Sequence, residues 1–105
     1  IGARRHAAPM SFSDALRRYY DDLSQVLAAT AAKLVSGGMM AWLVADSVIG
    51  TRPVWAESLV RRCAERTALT WLASASQRRP HFHGPSQRAF AKQPRQEHIV
   101  VLGKP

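Results

Sequence analysis

The sequence predicts a mainly α chain: one long transmembrane helix, kinked or broken at Gly37-Gly38, then a second, amphipathic helix and an extended basic C-terminal tail. Three observations carry that reading. Ser11 and Asp14 form a helix-start signal. An apolar or small stripe at alternating steps of four and three residues runs from Leu16 to Val48. Charge nearly vanishes between Val26 and Ile49, where only Lys33 and Asp46 are ionised.

Residues 1–10 form a basic N-terminal extension closed near Pro9, with Arg4, Arg5 and His6 and no acid. An Arg-containing, acid-free start of this kind reads as what remains after removal of an organelle presequence.

Residues 11–50 read as the long helix. Asp14 in its first turn suits the helix dipole. The stripe passes through Leu16, Tyr20, Leu23, Leu27, Thr30, Leu34, Gly37, Ala41, Val44 and Val48, while Arg17, Arg18, Asp21, Asp22 and Gln25 keep the opposite side wet. The candidate membrane span is 26–49, a stretch of 24 residues. As a helix it reaches about 36 Å, against a hydrocarbon core of about 30 Å. Its uninterrupted apolar part, Leu34 to Ala45, is 12 residues, a length that also suits a buried core segment. Lys33 and Asp46 are then charges at the membrane edge. Gly37, Ala41 and Ala45 form a small-residue face at the spacing by which helices pack in lipid. Each Gly of the pair costs about 1 kcal/mol in a helix interior, so two helices, 12–35 and 39–49, are the alternative.

Residues 51–75 read as the second helix, opened by Pro53 in its first turn. Leu59, Val60, Cys63, Ala64, Thr67, Ala68, Trp71 and Leu72 fall on one side, and Glu57, Arg61, Arg62, Glu65 and Arg66 on the other. Glu57 and Arg61 sit at the favourable i,i+4 spacing.

Residues 76–105 are broken by prolines and carry Arg78, Arg79, Arg88, Lys92 and Arg95 as contacts for a partner or for lipid headgroups. Within them, His98 to Leu102 is a β-prone run that needs a strand partner, which the edge of another protein's sheet can supply.

The chemistry is sparse. One cysteine, Cys63, excludes an internal disulfide and a cysteine-only zinc site. It falls on the apolar side of its helix, which outweighs the activating effect of Arg62 and Arg66 and makes it a structural thiol. His81 and His83 offer two metal ligands without a third. No phosphate loop and no acid–base dyad is visible, so neither a cofactor nor an enzymatic activity is predicted.

Fifteen Lys and Arg against seven Asp and Glu give a net charge of +8. With the candidate span, this points to a non-catalytic accessory (supernumerary) subunit of a mitochondrial inner-membrane complex, of the respiratory chain or ATP synthase. Its partners are other protein subunits of a large hetero-oligomer and membrane lipid. The alternative is a mitochondrial ribosomal protein in the matrix, whose basic tail, with Phe82 and Phe90, contacts RNA.

Overall fold

The computed structural model describes residues 10–79 and 85–105, the side chains of 85–87 excepted. Helix α1 spans Phe12–Ala31, and Ser11 caps it, its hydroxyl accepting from the Asp14 amide at 3.1 Å. The chain then turns through Gly37, whose φ of +81° suits glycine. Strand β1 follows at Met39–Ala45, and β2 (Ser47–Ile49) and β3 (Arg52–Val54) form a small hairpin across Gly50-Thr51. Helix α2 covers Ala56–Arg66. Strand β4 is Thr70–Arg78, a 3-10 turn holds Pro85–Phe90, and β5 is Gln96–Gly103.

The architecture overturns the mainly α prediction. It is a mixed α/β fold of two helices, a three-stranded sheet in the order β1-β5-β4, and the separate hairpin. No described helix is long and apolar enough to cross a membrane. The predicted 11–50 helix stops at Ala31. Within the apolar part of the 26–49 span, Leu34 to Ala45, residues Met39–Ala45 form a strand. The cause is physical: Met-Met-Ala-Trp-Leu-Val-Ala is apolar at every position, and such a short run carries no period that separates a strand from a buried helix. Neither proposed break at Gly37-Gly38 describes the molecule, because the helix has already ended. A side chain on Gly38 would meet the Val35 carbonyl oxygen at 2.9 Å, so the pair serves a tight turn.

The second predicted helix is shorter than 51–75. Pro53 lies in β3, and residues from Thr70 onward are strand. Ala68, with φ +57°, takes the left-handed position that ends α2, and the Leu69 amide closes back on the Ala64 carbonyl at 2.9 Å. The expected extended tail contributes the end of β4 and the whole of β5. His98 to Leu102 is indeed extended, but its partners are this chain's own β1 and β4.

Both β1 and β4 run antiparallel to β5, so they are parallel to each other and are joined by a crossover that carries α2. Alternate residues of β5 point inward: His98, Val100 and Leu102 are buried. They meet Met40 of β1, Leu27 of α1, and Leu59, Val60, Cys63 and Ala64 of α2 in a single core. Lys104, just past β5, donates from its ammonium to the Ala31 and Leu34 carbonyls at 2.8 and 2.9 Å. That cation satisfies acceptors that the end of α1 leaves free and lies at the favourable end of its dipole.

Candidate functional site

Two features concentrate what this fold offers to other molecules: the uncovered side of the sheet, and a buried polar brace at one end of it. The strand period builds the first. Met39, Ala41 and Leu43 of β1, Ile99 and Val101 of β5, and Ala73 and Ala75 of β4 share the side opposite the core. In register they form rows, Ala41–Val101–Ala73 and Leu43–Ile99–Ala75. A register shift between Trp71 and Ala73 places Leu72 at a bulge. Its methyl carbon would lie 2.9 Å from a Cβ on Gly103, so glycine there leaves the room that Leu72 occupies. The face is strongly exposed: Leu43 71%, Met39 65%, Ile99 51% and Leu72 49%. Large apolar side chains scattered singly are ordinary on a surface, but these adjoin one another on one flat sheet.

The β1 edge completes that face. Among the described residues, β1 pairs only with β5, so its outer backbone N–H and C=O groups have no strand beside them. Nothing in β1 guards the edge: it contains no charge, no proline and no bulge.

The brace centres on Asp46, which follows β1 directly and is buried. Its Oδ1 accepts from the Ala56 amide at 2.9 Å, and its Oδ2 from the Gln96 amide at 3.0 Å. The first bond caps α2, whose N-cap residue, Trp55, has no side chain able to do so. The negative charge also sits at the positive end of the α2 dipole. His98 Nε2 lies 3.1 Å from Oδ1, and its Nδ1 lies 2.7 Å from the Ser76 hydroxyl. A carboxylate only accepts, so Nε2 carries the proton toward Asp46. In the neutral ring, Nδ1 then accepts from Ser76. Glu57 Oε2 stands 3.8 Å from Nδ1. The chain of bonds ties the ends of β1, β4, β5 and α2 together.

Gly37 lies in the turn before β1, not on a helix face. Ala41 and Ala45 do share a side, as strand positions four apart must, and it is the uncovered one. Lys33 is exposed in the turn after α1, and Asp46 is the buried centre of the brace, so neither marks the edge of a membrane helix. Arg78, Arg88 and Lys92 are exposed, Arg95 is half-buried, and Arg79 pairs with Glu97 at 3.1 Å. His81, His83 and Phe82, and residues 1–9 of the basic extension, lie outside the described residues. Phe90 meets Trp55 edge-on with ring centres 5.7 Å apart.

Cys63 is fully buried. Burial pushes its thiol above the usual range, partly opposed by the neighbouring Ser24 side chain and by the charges of Arg62 and Arg66. Among the described residues, no group of three or more His, Cys, Asp or Glu is arranged to hold a metal ion. The uncovered face and the brace were missed in the sequence. The available signal for the face was the unbroken apolarity of β1 and of Ile99–Leu102, which marks strands covered on both sides.

Set against known proteins, the chain matches no family model, and no curated protein or solved structure shows significant similarity to it.

Proposed function

We propose that this chain is a non-catalytic accessory element of a multi-subunit assembly, and that it works through its uncovered sheet face and free β1 edge. The carrying observation is the contiguous exposed apolar group of Met39, Leu43, Leu72 and Ile99 beside an unguarded strand. Two further points support it. The helices α1 and α2 pack on one side of the sheet only, which leaves its other side for a partner. Strand composition agrees, because β1 is apolar on its outward side as well as its inward side.

The partner is another subunit of that assembly, offering a strand that adds to β1 and apolar side chains that cover Leu43 and Ile99. The dimensions favour that pair over the face alone. Three strands about 4.8 Å apart and about seven residues long present on the order of 330 Å². A stable protein interface buries about 800 Å² on each partner, so the β1 edge must share the contact.

The test is Leu43→Lys combined with Ile99→Lys, assayed by gel filtration of extract from cells that make the chain. The wild type is expected in a high-mass fraction and the double variant near the 11.6 kDa of the free chain. A wild type that elutes free, or a double variant that stays in the assembly, overturns the proposal.

A further inference from the structure

A second surface lies on the other side of the molecule, among the helices, and its chemistry differs. Two adjoining hollows, of about 590 and 320 Å³, run between the first half of α1 and the corner where β3 leads into α2. They share Phe12, Leu16, Arg52 and Arg62. The larger one adds Arg17, Tyr20 and Asp21, and the smaller one adds Trp55 and Ser58.

The arginines here are held. The Arg52 guanidinium lies 3.8 Å over the Phe12 ring, and those of Arg62 and Arg66 each lie 5.0 Å from the centre of Tyr20. Cation–π contact holds a guanidinium beside its ring and leaves N–H groups free to donate. Arg66 is already satisfied by Asp21 at 2.6 Å. Among the described residues, no carboxylate lies within ion-pair distance of Arg17, Arg52 or Arg62. Three cations without a carboxylate partner therefore line hollows that also include Phe12, Leu16 and Leu59.

We infer that this groove binds single-stranded nucleic acid. The ligand must combine anionic groups with flat apolar ones, because the hollows bring the guanidiniums of Arg17, Arg52 and Arg62 together with the rings of Phe12, Tyr20 and Trp55. Phosphates answer the first, and bases stack on the second. The three arginines without a carboxylate partner, Arg17, Arg52 and Arg62, provide cations for about three phosphates. An acidic peptide matches the cations but makes no use of the stacked planes. Double-stranded nucleic acid is disfavoured, since its bases already stack on one another. The site differs from the basic tail, the RNA contact considered from sequence, and is independent of the uncovered sheet face.

The experiment is fluorescence anisotropy of a fluorescein-labelled twelve-residue oligothymidylate, titrated with the full chain, alongside Trp55 emission, read in the full chain carrying Trp42→Phe and Trp71→Phe, as a second readout. Binding at low salt is expected to weaken with added salt, with a log–log slope of about −2 for three phosphates. It should also quench Trp55. Arg52→Glu with Arg62→Glu is expected to weaken binding at least about tenfold, and the neutral pair Arg52→Gln with Arg62→Gln to weaken it less. Lys33→Glu with Arg78→Glu makes the same change in net charge away from the groove and is expected to alter affinity by less than about threefold. Far-ultraviolet circular dichroism confirms that each variant is folded, and the neutral pair carries the test should the Glu pair unfold. Equal losses in the groove and control variants overturn the inference, as do an unchanged Trp55 signal, absence of binding, and tighter binding of a labelled oligoglutamate.

Discussion

The two edge strands of the sheet meet their surroundings in opposite ways. β4 carries Ser74, Ser76, Gln77 and Arg78, together with a register shift near Leu72. Polar side chains, a charge and a bulge are the devices by which an edge avoids adding another strand. β1, equally an edge, has none of them: its seven residues are all apolar. The same sheet therefore protects one border and leaves the other open. An edge left unguarded beside an uncovered apolar face is a surface with a use, and this contrast is what the accessory role rests on.

The largest effects should divide the two faces of the central strand. Leu102 is fully buried and Ile99 is half exposed, though they lie three residues apart in β5. Leu102→Ala is expected to cost about 2–5 kcal/mol in urea unfolding of the isolated chain, because it opens a cavity between α2 and the sheet. Ile99→Ala should cost under about 1 kcal/mol there, since its side chain keeps much of its contact with water. Equal costs would mean that something already covers the outer face, and the contrast would fail.

Next comes the brace that anchors the open edge. Asp46→Ala leaves the Ala56 amide, the Gln96 amide and His98 Nε2 without their acceptor. The expected loss is about 3 kcal/mol, from unsatisfied buried donors and an uncapped helix. Asp46→Asn keeps one accepting oxygen and should lose less. The Ser76–His98–Asp46 sequence of bonds also invites a chemical check. A fluorophosphonate probe should leave Ser76 unlabelled if the bonds act as a brace. Labelling of Ser76 would turn the brace into an activated nucleophile and undo the non-catalytic reading.

What the sequence made legible follows from the range of the interactions involved. The start of α1 depends on Ser11 and the amide three residues later, so it was readable, as was the pair of Glu57 and Arg61, now 3.6 Å apart. The sidedness of α2 and the burial of Cys63 follow from helical spacing alone. β1 was lost because its residues are apolar on both sides, which removes the alternation that identifies a strand. The brace was invisible for a different reason: Asp46 finds its partners 10, 50 and 52 residues away, and nothing local to an aspartate announces them. Arg17 and Arg62 show in the sequence only as residues on the wet sides of their helices, because the contacts of Arg52 with Phe12 and of Arg62 with Tyr20 require α1 to be folded against α2 and β3.

Cys63 sharpens the inner side of the comparison through pH. Burial raises its folded pKa above the ordinary thiol value. The unfolded chain therefore gives up the thiol proton first. Stability from the buried thiol is complete below the ordinary thiol pKa and declines as pH rises above it toward the folded value. Urea midpoints between pH 8 and pH 10 should fall more steeply for the wild type than for Cys63→Ala. The native thiol should also react with a disulfide reagent only as fast as the core opens. Rapid native labelling would place Cys63 at the surface and break the assignment of α2's inner side.

The smallest expected change in stability is the most direct test of the open edge. Leu43 is the most exposed large residue of β1 and touches nothing that folding must keep. Leu43→Lys should alter the unfolding free energy of the isolated chain by no more than about 0.5 kcal/mol. Its effect on association should be larger, because a lysine in the middle of an edge strand is the guard that β1 lacks and β4 already has in Arg78. Light scattering during concentration of the isolated chain should rise for the wild type and stay lower for the variant. Replacing Arg78 and Gln77 with valine should do the reverse, unguarding β4 and raising scattering above the wild type. If Leu43→Lys instead unfolds the chain, β1 is held from its outer side as well as its inner one, and the two edges are not opposites.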